Sequence, residues 1–235
     1  QCGGGALRCR LMNISKPSGR AAMQSLRDYP HVMARPLALC FAFETNDRQF
    51  AAATLIELGF TLDTALLTPS ESLLAMIRLQ WWIDSLQNTA TETAPLVQNL
   101  RLLCEQRPDM RDRLIGVIGS WQDSCHDEQR DSQPGWQALW RLLGVAFSVA
   151  PDLAAAAGSF AVSSDDANAS GFTDRSGLLA LRRMADGTPS YWLYLLACLG
   201  AYRRRKNRPD PQQDDSAMLG WHILLWRLGR PPRLG

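Results

Sequence analysis

With 235 residues, 46% of them hydrophobic, the chain is long enough to enclose a core of its own. Its 25 Lys and Arg against 23 Asp and Glu leave a net charge of +2 with the two signs interspersed, so no nucleic acid is expected as a partner. The six cysteines form no CxxC pair, and Cys40, Cys104 and Cys198 fall inside apolar stretches, where they read as small buried hydrophobes of a reducing compartment. His31, His126 and His222 have no carboxylate or thiol at metal-ligand spacing. The longest apolar run, 191–202, is shorter than the roughly 20 residues that span a bilayer. The expected location is therefore cytoplasmic, with any membrane contact peripheral and at the inner face.

In chain order, residues 1–27 carry Arg8, Arg10, Lys16, Arg20 and Arg27, no acid and a Gly run, and read as a disordered leader. Residues 28–235 are expected to form a single helical domain. A short helix is predicted over 31–43 and a longer one over 47–68, opened by Thr45-Asn46 and closed by Pro69. In the second of these, Ile56, Gly59, Leu62, Leu66 and Leu67 share one face with Asp63 at its middle. A carboxylate so placed needs a partner, since burying it alone is costly.

The helix after Pro69 has two apolar arcs at about 100° per residue, Met76, Leu79, Trp82, Ile83 and Leu86 on one side and Leu74, Ile77 and Trp81 on the other. It is expected to pack on both sides, with Arg78 between the arcs and Trp81 and Trp82 flanking its guanidinium. The short turn at 68–70 would fold this helix back on its predecessor and bring Arg78 opposite Asp63. Such a pair reads either as a structural ion pair or as the wall of a polar cavity for an anionic ligand.

Further helices are predicted over 94–106 and 109–126. Asp123 and Asp127, at i and i+4, have a spacing that could share Mg²⁺, but both point away from the apolar stripe of Leu114, Ile118, Trp121 and Cys125 and read as a solvated face. Residues 135–150, 151–162, 174–185, 190–206 and 217–228 follow as helices, with 163–173 a loop. The 190–206 helix ends in Arg203, Arg204, Arg205 and Lys206. This cluster either complements the helix dipole or meets an anionic membrane surface beside Tyr191, Trp192, Tyr194 and Tyr202.

The run Ile77-Arg78-Leu79-Gln80-Trp81-Trp82-Ile83-Asp84-Ser85-Leu86, preceded by Pro69 and an apolar helix, resembles a signature of the squalene/phytoene synthase family. The likeness is closest to its short divergent bacterial branch and the related mitochondrial assembly factor of respiratory complex I. It is good over 35–86 and looser to 147. It implies an all-α, isoprenoid-synthase-like helical bundle around a central cavity, in which two aspartate-rich motifs hold Mg²⁺ for the head-to-head joining of prenyl diphosphates. At the first motif Leu62-Asp63-Thr64-Ala65 supplies Asp63 alone, and at the second there is no carboxylate pair; Asp152 is isolated and Asp165-Asp166 lie in the loop.

The expected function is thus an isoprenoid- or prenyl-diphosphate-binding or assembly-helper protein whose metal-dependent catalysis is weakened or lost, with Asp63, Arg78, Trp81 and Trp82 as the ligand wall. An active prenyltransferase, with Mg²⁺ on Asp63 and on Asp123 and Asp127, is the second reading. A membrane-surface interaction protein working through 203–206 is the third.

Overall fold

The structure, a computed structural model, describes residues 17–88, 94–127, 130–163, 172, 175–185, 190–205 and 216–232. Among them it is all-helical, with eleven α-helices, one short 3₁₀ turn and no strand. The first helix, α1 (Gly19–Asp28), takes up the last part of the stretch 1–27 read as a disordered leader and corrects that reading there; residues 1–16 lie outside the described residues. Ser18 caps it, its hydroxyl accepting from the Ala21 amide at 3.1 Å. Ala22, Met23 and Leu26 are buried along its inner face. Gly19 lies so close to Asn46 that a Cβ there would overlap the Asn46 carbonyl. The absence of a side chain at Gly19 is what lets the two helices touch.

Next come α2 (Ala34–Cys40) and α3 (Asn46–Leu67). In α3 Phe50, Ala53, Leu55, Ile56, Leu58, Phe60 and Leu62 are all buried, although they point in every direction around the axis. A helix apolar on all sides is enclosed by neighbours, and α3 touches α1 and α2 as well as the later helices α4, α5, α6 and α7. It alone, among the described residues, is long and apolar enough to cross a membrane, but 72% of that stretch is buried inside the protein, as in a core helix. Charged Asp47, Arg48, Glu57 and Asp63 disguise α3 as an ordinary amphipathic helix.

The following elements are α4 (Ser72–Gln87), α5 (Pro95–Gln106) and α6 (Met110–Asp123), the last continued by a 3₁₀ turn at Ser124–His126. The α3–α4 turn is braced from a distance by Arg130. Its guanidinium donates to the carbonyls of Leu66 and Ser70, at 3.5 and 2.8 Å, to that of Pro69, and to the Ser72 hydroxyl at 3.3 Å. Arg130 itself stands at φ 44°, a left-handed conformation that non-glycine residues seldom adopt.

The C-terminal half is built from α7 (Gln133–Ala146), α8 (Pro151–Ser163), α9 (Arg175–Ala185), α10 (Tyr191–Arg205) and α11 (Ser216–Arg227). Here α10 takes the central place, against α2, α8, α9 and α11. Trp192, Tyr194, Leu196 and Cys198 are fully enclosed. Phe41 stacks on Trp192 with centroids 5.1 Å apart, so α2 joins the two halves into one hydrophobic core.

Candidate functional site

Asp63 is the organising group, but Arg78 is not its partner. The Trp121 indole N–H, from α6, donates to one carboxylate oxygen at 2.9 Å, and that of Trp136, from α7, donates to the other at 2.7 Å. An indole is a donor only, so two of them suit a carboxylate without adding charge. Burial dominates and pushes the Asp63 carboxyl above its ordinary range; the neighbouring Asp131 pushes the same way, while hydrogen bonds from Trp121, Trp136 and Ser132 act in the opposite direction.

Glycines set these indoles. Trp136 rests on Gly59, where a Cβ would stand 2.6 Å from the ring, and Trp121 rests on Gly135 in the same manner. The rings continue as an aromatic array: Trp136 meets Trp121 at 6.0 Å, Trp140 at 5.9 Å and Phe60 at 5.3 Å between centroids, and His31 stacks on Phe60 at 3.9 Å. Beside the array lies a cavity of about 280 Å³ lined by His31, Asp63, Asp131, Ser132, Trp136 and Val162 among others. His31 Nδ1 accepts from the Met33 amide at 3.2 Å, and burial pushes the imidazole below its usual range. The cavity therefore pairs carboxyl groups and aromatic rings with an imidazole held neutral over more of the pH range, and among the described residues it has no Lys or Arg on its wall.

The other residues expected at the ligand wall lie elsewhere. Arg78 is exposed and makes no ion pair or ring contact among the described residues. The reason is angular: Ala75, Leu79, Trp82, Ile83 and Leu86 are the buried side of α4, and Arg78 falls about 100° away from Leu79. The second apolar arc is uncovered, with Leu74, Ile77 and Trp81 at 46, 56 and 42% exposure, so α4 packs on one side and not on two. Trp82 is buried and meets Trp81 edge to face at 4.9 Å.

Arg203, expected at a membrane surface, is buried; its guanidinium donates to the carbonyls of Ala161 and Val162 at 2.6 and 2.5 Å and so closes the C-terminal end of α8. Arg204 is exposed, and the side chain of Arg205 and all of Lys206 lie outside the described residues.

A Mg²⁺ site does not fit this geometry. Both Asp63 oxygens already hold N–H donors, the carboxyl is biased towards its neutral form, and among the described residues no group of three or more His, Cys, Asp or Glu side chains converges. Asp123 and Asp127 are exposed, Asp152 pairs with Arg141 at 3.1 Å, and Asp165-Asp166 lie outside the described residues.

Sequence reasoning placed Trp121 and Trp136 in apolar stripes and missed their N–H groups. The available signal was that each needs an acceptor when buried, with Asp63 waiting on an apolar face for a donor. Comparison of the chain with models of known protein families, with curated proteins and with solved structures finds no match.

Proposed function

We propose that this chain is a non-catalytic helical binding protein of the isoprenoid-synthase-like kind, whose cavity beside Asp63 takes a small, largely apolar molecule with a cationic or hydrogen-bond-donating head. The observation that carries the reading is the cavity wall itself, where the rings of His31 and Trp136 stand with the carboxyl groups of Asp63 and Asp131. Aromatic rings and the acceptor oxygens of Asp63 and Asp131 suit a cationic or hydrogen-bond-donating head, whereas a diphosphate brings only further acceptors and meets no Lys or Arg among the described lining residues. The Trp81-Trp82 resemblance supports an isoprenoid tail, and its volume suits a small ligand. An assembly-helper role for another apolar molecule is compatible with the same wall.

The test compares farnesylamine, dodecylamine and farnesyl diphosphate by quenching of tryptophan fluorescence, since Trp136 lines the cavity. Farnesylamine is expected to bind most tightly and to lose its advantage in Asp63→Asn. Tighter binding of the diphosphate overturns the reading, and so does any condensation product formed from farnesyl diphosphate with Mg²⁺.

One observation favours a second reading, a contact with an anionic membrane surface through α11. Met218, Trp221, Leu224 and Leu228 form an exposed stripe at 51, 56, 38 and 69%, and Arg227 and Arg230 are exposed at its C-terminal end. No acid occurs between 216 and 232. An amphipathic helix of this kind lies in the headgroup region with its apolar side down. Vesicles containing phosphatidylserine should bind the protein in a salt-sensitive way, and Trp221→Ser should weaken binding severalfold; equal binding to neutral vesicles excludes it.

A further inference from the structure

At the opposite end of α3 from Asp63 lies a larger cavity, of about 540 Å³, between α1, the segment after α2 and the first turn of α3. Arg20, Met23, Gln24 and Arg27 line it from α1, Ala42 and Glu44 from the connecting segment, and Asn46 and Gln49 from α3. Asn46 and Asp63 are 17 positions apart in one helix, which is about 25 Å along its axis. The two cavities are therefore separate sites.

Arg20, Gln24 and Arg27 recur at i, i+4 and i+7 and so present one face of α1 to the cavity. Neither arginine has an ion-pair or hydrogen-bond acceptor among the described residues, and the Arg27 Nε is buried without one. A buried guanidinium N–H left without an acceptor is costly, because its water has been removed and nothing has replaced it.

The acids nearby are otherwise engaged. Glu44 is bound by Arg48 at 3.4 Å, and burial pushes its carboxyl upward, towards the neutral form. Asp28 accepts both bonds from the Gln24 amide, at 3.1 and 2.9 Å. Donor-bearing side chains, by contrast, line the cavity: those of Arg20, Arg27 and Asn46. The Asn46 side-chain oxygen accepts from the Gly19 amide at 2.7 Å, which leaves its NH₂ group to donate.

From this arrangement we infer that the Arg20–Arg27 cavity is a binding site for a phosphate-type dianion, unrelated to the ligand beside Asp63. Two guanidiniums based about 10 Å apart along the helix suit a group that spreads its charge over several oxygens, a diphosphate or a phosphomonoester, better than a single carboxylate. The same chemistry is offered by a free phosphate compound and by a phospholipid headgroup.

Titration calorimetry on the full chain with inorganic pyrophosphate, and separately with the soluble lipid dihexanoyl phosphatidic acid, tests the site. Arg20→Gln, on an exposed position, and Arg27→Gln should each weaken binding about tenfold or more, the loss of a charge-assisted hydrogen bond. Glu44→Gln should strengthen it, since a negative neighbour is removed. If pyrophosphate shows the effect the natural ligand is a soluble phosphate; if only the lipid shows it, the ligand is a headgroup; both outcomes support the site. Binding of either probe that is indifferent to Arg20→Gln, or no binding of both, overturns it. Should Arg27→Gln fail to fold, Arg20→Gln and Glu44→Gln still decide the question.

Discussion

The two ends of α3 use opposite chemistry on one rigid rod. At the Asp63 end a carboxyl group holds an indole N–H on each oxygen, and the cavity beside it is aromatic and acidic. At the Asn46 end two arginines line a larger, polar cavity, and the buried Nε of one of them, Arg27, has no acceptor among the described residues. The first arrangement is a finished piece of core that also forms a wall. The second has donors in want of an acceptor, as a site has before its ligand arrives. The buried middle of α3 keeps these two ends apart on one helix.

The largest way to break this contrast is Trp136→Ala. It removes a buried ring and leaves one Asp63 oxygen without its donor, and it should cost about 3–5 kcal/mol in urea unfolding. Gly59→Ala follows: the new Cβ would force the Trp136 ring aside, at roughly 1–3 kcal/mol. Arg130→Ala should cost about 1–3 kcal/mol by leaving the carbonyls of the α3–α4 turn without a donor, measured in the same way.

The pH dependence sharpens the comparison at the Asp63 end. An acid whose native pKa is raised binds more protons folded than unfolded, so stability falls as pH rises from the ordinary Asp value of 3.8 through the raised native value. Below 3.8 both states are protonated and the contribution is flat. The difference in unfolding free energy between the wild type and Asp63→Asn should decline across that window and level off above it; a difference independent of pH would mean that Asp63 titrates normally. The smallest effect is expected at the other end. Arg20 is exposed and unpaired, so Arg20→Gln should change stability by less than about 0.5 kcal/mol, while it weakens anion binding about tenfold or more.

Most helices were legible because their signals are local. Pro69 closes α3, and stripes such as Leu114, Ile118 and Trp121 in α6 repeat at helical spacing. The predicted helices after Pro69 agree with the observed ones to within a few residues. The exception, α1, was hidden by Gly19, whose reason for being glycine is a neighbour 27 positions away.

The candidate site was half legible. That Asp63 needs a partner followed from its position on an apolar face, and this was correct; that the partner was Arg78 did not hold, because two donors from α6 and α7 were already in reach. Burial of the second arc of α4 was misjudged for a related reason. Two apolar arcs show that a helix is able to pack twice, not that a neighbour is available for each. Arg203 fails in the opposite sense: a basic cluster at a helix end looks solvated, yet its first member closes the carbonyl end of α8.

By itself, then, the sequence determined that the chain is helical, roughly where each helix begins and ends, and that Asp63 is an anomaly with a physical cost. Those properties arise from periodicity, caps and side-chain chemistry, which act within a few residues. The tertiary structure alone decided which groups answer one another across 58 and 73 positions, as Trp121 and Trp136 do for Asp63, and which faces remain open, as on α4 and α11. Partnership over such distances depends on helix packing angles and close approach at Gly59 and Gly135, and no local pattern encodes these.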